Sequence, residues 1–254
     1  MKNVQRSSVL DEYLAFAKAH PRYFSVDPAK GILRLGRAEI EAVESEVAAI
    51  YGKSGLDPDW AQAGIYYEDP YIILLRDAVR FSDGRPAIHH RILWKTGPVS
   101  GIVILPRLGE EYVLVKHYRH ALAAWSWECP RGGSSPGSSF EKTIEEELME
   151  EIGANLLALR RLGHVVPINN LVDSGIDTFL ADIGRIGPPA RSEGIDEVAL
   201  VSAIRLKRMI SEGEITDAPT ICAVAQACFL GCFEKEQPAL KNDKNHQKNN
   251  MPAL

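Results

Sequence analysis

The sequence predicts an α/β fold in which a leading helical region is followed by strands and further helices. Apolar residues recur at helical spacing in residues 1–60, and two pairs of strand-like runs then follow. An amphipathic helical pattern begins near residue 140. The composition agrees, because 254 residues with 45% hydrophobic and 25% charged residues have ordinary globular proportions. A chain of this length can bury a core without disulfides.

Residues 1–60 are predicted to form an N-terminal helical extension. Ile40, Val43, Val47 and Ile50 follow one another at helical intervals. From residue 65 to 95 the pattern changes to β-branched and aromatic runs that are interrupted at Asp83-Gly84. This arrangement predicts a β-hairpin with a turn at that dipeptide.

The remaining elements are predicted in chain order. Two strands flank residues 108–111, and residues 130–139 form an irregular loop because Gly, Ser and Pro dominate them. A helix runs from Phe140 to Ile152 and ends at Gly153. Strands then recur in LRRLGHVVP, TFLADI and EVALVSAI. A last helix spans Thr216 to Glu234, and the polar residues 236–254 form a disordered tail.

Charge and hydropathy exclude several classes of partner. The formal net charge is −5 and the sequence pI is near 5.8, which opposes nucleic-acid binding. No apolar run reaches the roughly 18–20 residues of a membrane span, and the first residues do not read as a secretory signal. The four cysteines form no C-x-x-C pair. We therefore expect a cytoplasmic protein that does not contact a membrane.

The predicted helix after residue 140 carries an unusual density of carboxylates. Glu147, Glu150 and Glu151 are separated by three and four positions, so they share one helix face and repel one another. A divalent cation such as Mg²⁺ or Mn²⁺ would remove that repulsion. A solvated acidic face explains the same pattern, and the helix by itself leaves both interpretations open.

The residues around this helix resemble the signature of the Nudix hydrolases, G-x5-E-x7-R-E-U-x-E-E-x-G-U, where U is bulky and apolar. Gly132 takes the first position of the signature. Matches at the carboxylate end are Glu147, Leu148, Glu150, Glu151 and Gly153. Three positions depart from the pattern: Ser138 replaces the first Glu, Glu146 replaces the Arg, and Ala154 replaces the final apolar residue. In the family that Glu and Arg form an ion pair, so their joint loss leaves no single unpaired charge.

An ordered set of further motifs resembles the ADP-ribose/ADP-sugar pyrophosphatase branch of that family. The strand VLVKHYR is similar to the branch's V-x-Q-Y-R strand, with His117 in place of Gln. The segments WECPRG and EGEITDA are similar to the branch's W-E-x-P-x-G and E-G-x-I-x-D-A motifs. The resemblance covers residues 65–232. It implies an α/β/α sandwich around a mixed β-sheet, which we assign to a domain of residues 61–235.

The resemblance implies metal-dependent hydrolysis of the pyrophosphate bond of a nucleoside diphosphate-linked compound. ADP-ribose or an ADP-sugar is the favoured substrate. Glu147 and Glu151 are then catalytic and bind Mg²⁺ or Mn²⁺, together with Glu150 and the carbonyl oxygen of Arg131. A general base is expected in the acidic loop after residue 190. Glu193 is our first choice for it and Glu197 the second.

The resemblance also suggests how substrate and subunits are held. Arg119 and Arg131 could pair with phosphate oxygens, and Trp125 could stack on a base or pack in the core. The hairpin of residues 65–95 resembles the strands through which this branch forms homodimers. An alternative follows from Ser138 and Glu146: a nucleotide-binding or regulatory module that keeps the fold but hydrolyses poorly.

Overall fold

The computed structural model describes residues 6–24, 32–95, 101–133, 137–188 and 190–233. The predicted tail of residues 236–254 lies outside these ranges, so its disorder stays a prediction. Within the described ranges, no helix is both long enough and apolar enough to cross a membrane.

The leading region is helical, and it packs on a small sheet. Helix α1 spans Arg6–Ala19, α2 spans Pro21–Phe24 and α3 spans Arg37–Lys53. One face of α3 is apolar because Ile40, Val43 and Val47 lie on it, and all three are buried. They share one apolar core with the sheet that follows. The division of the chain at residue 60 stays a prediction.

The predicted hairpin is present, and a third strand joins it. Strands β2 (Ile72–Arg80) and β3 (Pro86–Trp94) are antiparallel around the turn that contains Gly84, whose φ is +86°. Strand β1 (Gly64–Glu68) pairs with β2, which gives the order β1-β2-β3. The sequence did not predict β1 because its five residues alternate little and are mostly exposed at the sheet edge.

The α/β/α sandwich around a mixed sheet is confirmed. The central order is β10-β5-β4-β9-β8, with β6 on β5 and β7 on β4, and β4 is parallel to β9. The strand bounds are β4 Gly101–Leu108, β5 Glu111–Arg119, β6 Ala124–Glu128, β7 Arg131–Gly133, β8 Leu156–Val165, β9 Ile176–Ile183 and β10 Ile195–Ser202.

The helices that cover the two faces of this sheet are selected by the alternation of side chains along the strands. Ile102 and Ile104 of β4 face α4 (Phe140–Ile152). Val103 and Leu105 face the opposite layer, which is formed by α5 (Ala203–Ser211) and α6 (Ala218–Phe229). Among the described helices, the carboxylate-bearing α4 therefore covers the face of this sheet opposite to α5 and α6.

Three predicted elements differ from the structure. Arg131–Gly133, predicted as irregular, is a short strand because it pairs with β4. The strand predicted at EVALVSAI ends at Ser202, whose hydroxyl accepts the N–H of Arg205 and so begins α5, a helix that was not predicted. The last helix is shorter than predicted, because Asp217 caps its start and Gly231, with φ +68°, follows its end.

The loop between β8 and β9 is hydrogen-bonded to the small sheet. The N–H of Ile92 in β3 donates to the carbonyl oxygen of Leu171 at 2.8 Å, and the N–H of Asp173 donates to the carbonyl oxygen of Ile92 at 3.2 Å. These bonds hold residues 166–173, between β8 and β9, against the edge of the small sheet.

Candidate active site

Local geometry places the Glu147 carboxylate on the backbone of β7, the short strand that precedes α4. The hydroxyl of Ser139 accepts the N–H of Lys142 and begins α4, and Gly153 ends it in the left-handed conformation, with φ +59°. The Glu147 side chain then reaches Gly132, where a β-carbon would overlap its carboxylate group. A glycine at this position is required because the carboxylate occupies the space of a side chain.

Glu151 is the buried partner of Glu147. Its side chain is 5% exposed, and the backbone N–H of Arg131 donates to its carboxylate. Burial and the charge of Glu147 raise the pKa of Glu151 to about 8. Burial and the charges of Glu150 and Glu193 raise the pKa of Glu147 to about 7. In the described part of the chain, Oε2 of Glu151 has no hydrogen-bond partner. The pair therefore carries unsatisfied acceptor capacity that a cation would fill.

The Glu150 side chain is exposed on α4, and it lies near enough to Glu147 for its charge to raise the pKa of that group. Within the described ranges, no three His, Cys, Asp or Glu side chains are arranged as a ready metal site. The structure thus places Glu147 and Glu151 beside the backbone of Arg131 and Gly132, with Glu150 on the exposed side of the same helix. Mg²⁺ is commonly held by one or two carboxylates, with water and substrate phosphate completing its ligands.

Glu193 and Glu197 have different surroundings. Glu193 ends a short 3₁₀ turn, Arg191–Glu193, and lies close enough to Glu147 for its charge to raise the pKa of that group. The N–H of Ala190 donates to the carbonyl oxygen of Glu151 at 3.3 Å, which holds the turn beside the end of α4. Glu197 lies in β10, where Lys116 Nζ is 2.6 Å from its Oε1. Glu193 is therefore the candidate that faces the carboxylate pair.

Both predicted phosphate-binding arginines meet a buried acid that was not predicted as a site residue. Glu128 is 0% exposed. Arg119 Nη2 lies 2.5 Å from its Oε1, and Arg131 Nη2 lies 2.6 Å from its Oε2. His117 Nδ1 is 3.2 Å from Oε1, and burial, Arg119 and Arg131 lower the His117 pKa to about 4. The imidazole is therefore neutral at pH 7, and the two cations are oriented by one carboxylate.

A cavity of about 420 Å³ opens beside this cluster. It has the size of a small-molecule site, and its mixed lining suits a ligand with both polar and apolar parts. Asp217, the residue that begins α6, lies 3.4 Å from Arg131 Nη1 and borders the cavity. The side chains that line it include Arg119, Ser126, Glu128, Arg131, Pro167, Ile168, Val172, Thr216 and Asp217.

Trp125 is not brought to this cavity. In the β5–β6 ribbon, His117 is opposite Ser126 and Tyr118 is opposite Trp125. Because side chains alternate along a strand, Trp125 and Tyr118 lie on the other face from Ser126 and Glu128. Their rings form an edge-to-face pair with centroids 5.4 Å apart, and Trp125 is 50% exposed. The sequence shows which side chains of β6 alternate, and the pairing with β5 decides which of them face the cavity.

Two of the three departures from the Nudix signature, Ser138 and Glu146, form local contacts of their own. Thr143 Oγ1 lies 3.1 Å from Ser138 Oγ and donates to it, so two hydroxyls connect the loop to α4. Glu146 is an exposed residue whose carboxylate lies 3.6 Å from Lys142 Nζ. The charge of Glu146 therefore points toward solvent, although it still contributes to the raised pKa of Glu147.

Comparison with known proteins adds partial matches. No protein-family model matches the chain. RNA pyrophosphohydrolases of Yersinia enterocolitica and Yersinia pestis are 38% identical to it over 65 residues, which is 26% of this chain and 34% of each relative. The chain thus matches about a third of the length of these relatives. The crystal structure of an ADP compounds hydrolase superposes with a TM-score of 0.58 at 14% identity, over 67% of this chain and 91% of that one.

Proposed function

We propose that this chain, whose fold is that of the Nudix hydrolases, hydrolyses the pyrophosphate bond of a nucleoside diphosphate-linked compound with the aid of a divalent metal ion. ADP-ribose or an ADP-sugar is the proposed substrate. The similar structure named as an ADP compounds hydrolase and the similar proteins named as RNA pyrophosphohydrolases support this reaction class.

One observation carries the proposal. The Glu147 carboxylate lies over Gly132 and the Glu151 carboxylate accepts the backbone N–H of Arg131, whose side chain lines the adjoining cavity together with Arg119. A diphosphate repels an attacking nucleophile, so such an enzyme needs cations on both sides of the reacting phosphorus. Carboxylates that hold a metal and guanidinium groups that hold phosphate oxygens supply these two sets of charge.

Mg²⁺ or Mn²⁺ is the proposed metal because the donors are hard oxygens. Glu147, Glu151 and the carbonyl oxygen of Arg131 would hold it, and Glu150 would contribute from the exposed side. The unpaired Oε2 of Glu151 and the raised pKa values of the pair fit such a group. When bound, the metal neutralises phosphate charge and lowers the pKa of a bound water.

Other residues of the chain are proposed to supply the general base and to bind the diphosphate. Glu193 is proposed as the general base, since it is the acid of the 191–193 turn that faces Glu147. We expect Glu193→Gln to lower kcat by about 10²–10⁴-fold and Glu197→Gln to lower it by less than about tenfold. Arg119 and Arg131 are proposed to bind the diphosphate while Glu128 holds their orientation. Equal losses in both glutamine variants would contradict the assignment of the base.

The test is a hydrolysis panel on the full chain. The protein is incubated with Mg²⁺ or Mn²⁺ and with ADP-ribose, ADP-glucose, other nucleoside diphosphate sugars or RNA, and nucleoside monophosphate is separated by chromatography. We expect metal-dependent release of AMP from the ADP compounds, and loss of that release in the Glu147→Gln/Glu151→Gln double variant. Glu145→Gln, a matched change on the exposed side of α4, should keep the activity.

The alternative of a weakly hydrolysing nucleotide-binding module gives a different result. It predicts thermal stabilisation by ADP-ribose without release of AMP. It also predicts that Ser138→Glu combined with Glu146→Arg, which restores the signature, raises the rate strongly. If neither metal supports hydrolysis of any compound in the panel, the proposed function is wrong.

We also propose a homodimer formed through the first sheet. In the described part of the chain, β1 pairs with β2 along one side only, so its other edge is open. Exposed aromatic residues accompany this strand: Trp60, Tyr66, Tyr67 and Tyr71 are 52%, 38%, 50% and 69% exposed. Sedimentation should give the mass of two chains, and Tyr67→Lys should shift it to that of one chain. A monomeric wild-type protein would contradict this proposal.

A further inference from the structure

A second cavity lies between the N-terminal helices and the loop of residues 166–173. Its volume is about 380 Å³, within the range of small-molecule sites. Seven of its ten lining side chains are polar or charged. The polar residues are Arg22, Tyr23, His89, Arg91, Asn169, Asn170 and Asp173. We call this cavity the junction cleft.

The two walls of the junction cleft are held in fixed positions. One wall is formed by the N-terminal segment and β3, where Arg91 of β3 donates to both oxygens of the buried Asp77 and to the carbonyl oxygen of Tyr23 at 2.7 Å. The other wall is the loop, which two backbone hydrogen bonds attach to Ile92 of β3. Because both walls are fixed by bonds that do not involve a ligand, the cleft is preformed.

The chemistry of the two walls differs. Arg22 and Arg91 present guanidinium groups on the first wall, and the charge of Arg91 is already balanced by Asp77. Asn169 and Asn170 present amides on the second wall, and both residues are exposed. Asp173 adds one exposed carboxylate, whose charge acts on Arg91. A ligand that satisfies both walls needs an anionic group for Arg22 and hydroxyl groups for the amides and the acid.

From this arrangement we propose that the junction cleft binds a small hydroxylated phosphate ester of the sugar phosphate type. A phosphate group matches the planar donor edge of a guanidinium, while sugar hydroxyls both donate and accept toward Asp173, Asn169 and Asn170. A bare inorganic anion fits less well because it brings no sugar hydroxyls to Asp173, Asn169 and Asn170. The site is separate from the cavity beside Glu128, although Val172 contributes to both linings.

Calorimetry on the full chain tests this site without relying on turnover. The probes are ribose 5-phosphate, inorganic phosphate and ribose, each added in separate titrations. We expect ribose 5-phosphate to bind at least about tenfold more tightly than either fragment, since each fragment loses one set of hydrogen bonds. Arg22→Ala should weaken the binding of ribose 5-phosphate about tenfold. Asn170→Asp should weaken it similarly, because it places a second carboxylate in the cleft with almost no change of shape.

Two arginine variants locate the binding. Arg208→Ala removes an exposed guanidinium of α5 outside both cavities, and Arg119→Ala removes one from the cavity beside Glu128. Both should retain the Arg22-dependent binding. The proposal is overturned if ribose 5-phosphate does not bind, if both cleft variants bind it as the wild type does, or if Arg119→Ala alone abolishes binding. Inorganic phosphate that binds as tightly as ribose 5-phosphate would overturn the hydroxyl requirement.

Discussion

The Glu147 carboxylate lies over the α-carbon of Gly132, in the space that a side chain at residue 132 would need. Gly132→Ala should therefore displace this carboxylate or the β7 backbone. We expect the free energy of unfolding to fall by about 1–3 kcal/mol, the usual cost of adding a carbon atom where there is no space for it. The affinity for Mg²⁺ should fall as well. Urea unfolding and calorimetry with Mg²⁺ measure the two effects. Gly52→Ala is the control, since its added carbon would lie at an ordinary 3.8 Å from Pro58.

A double variant shows whether the two positions interact directly. Glu147→Ala removes the group that the new methyl would contact, so Gly132→Ala should cost much less stability in that background. Additive losses of stability would contradict the direct overlap and would indicate that β7 itself does not tolerate a side chain.

The placement of these residues near one another could be anticipated from the sequence because the contact is short-range along the chain. The signature places Gly132 and Glu147 fifteen positions apart, on a loop and on the helix directly after it. Such a loop and helix leave few alternative placements, so the meeting of Glu147 and Glu151 near Arg131 could be expected. Glu150 was predicted as a third ligand after Glu147 and Glu151, and helical geometry leaves its side chain exposed on the outer side of the helix.

The raised pKa values of the carboxylate pair predict how stability depends on pH. An unfolded glutamate titrates near 4.5, whereas the folded values are about 7 for Glu147 and about 8 for Glu151. Between these values the folded state binds more protons than the unfolded state, so the free energy of unfolding falls as pH rises. Without metal, we expect a loss of about 1–3 kcal/mol between pH 5 and pH 8, with allowance for solvent screening at half-buried Glu147.

Urea unfolding in the presence of a chelator measures this dependence. The Glu147→Gln/Glu151→Gln variant should show a flatter profile, because its amides do not titrate. Addition of Mg²⁺ should restore stability mainly at the alkaline end, where the carboxylates are ionised and able to bind it. A wild-type profile that rises between pH 5 and pH 8 in chelator would show that the pair is not protonated in the folded state.

Glu128 is predicted to stabilise the chain through the charges around it. Its removal leaves Arg119 and Arg131 beside one another without the carboxylate that separates them. Breaking a buried ion pair costs about 3–5 kcal/mol, and Glu128→Gln should lie in this range by urea unfolding. Glu197→Gln, which breaks the more exposed pair with Lys116, should cost less than about 1 kcal/mol. Similar losses in both variants would contradict the role of burial.

The sequence alone could not assign Glu128 or place Trp125, for a common physical reason. Both assignments depend on which face of the β5–β6 ribbon a side chain occupies, and that face is set by the pairing of Val115 with Glu128. A shift of one residue would exchange the faces and bring Trp125 to the cavity. The motif identified the segment, but only the strand register determines which of its residues point to the ligand.

Tyr13 connects the N-terminal helices to the hairpin through a buried hydrogen bond. Its hydroxyl donates to Asp77 Oδ1 at 2.5 Å, and Asp77 is 1% exposed. Tyr13→Phe removes this donor and leaves a buried carboxylate with Arg91 as its remaining charged partner, so we expect a loss of about 1–3 kcal/mol by urea unfolding. Tyr71→Phe removes a hydroxyl from a side chain that is 69% exposed and should cost less than about 0.5 kcal/mol. If the two variants are equally stable, the helices do not depend on this bond for their attachment, and apolar packing of the Tyr13 ring against Phe24 would account for it instead.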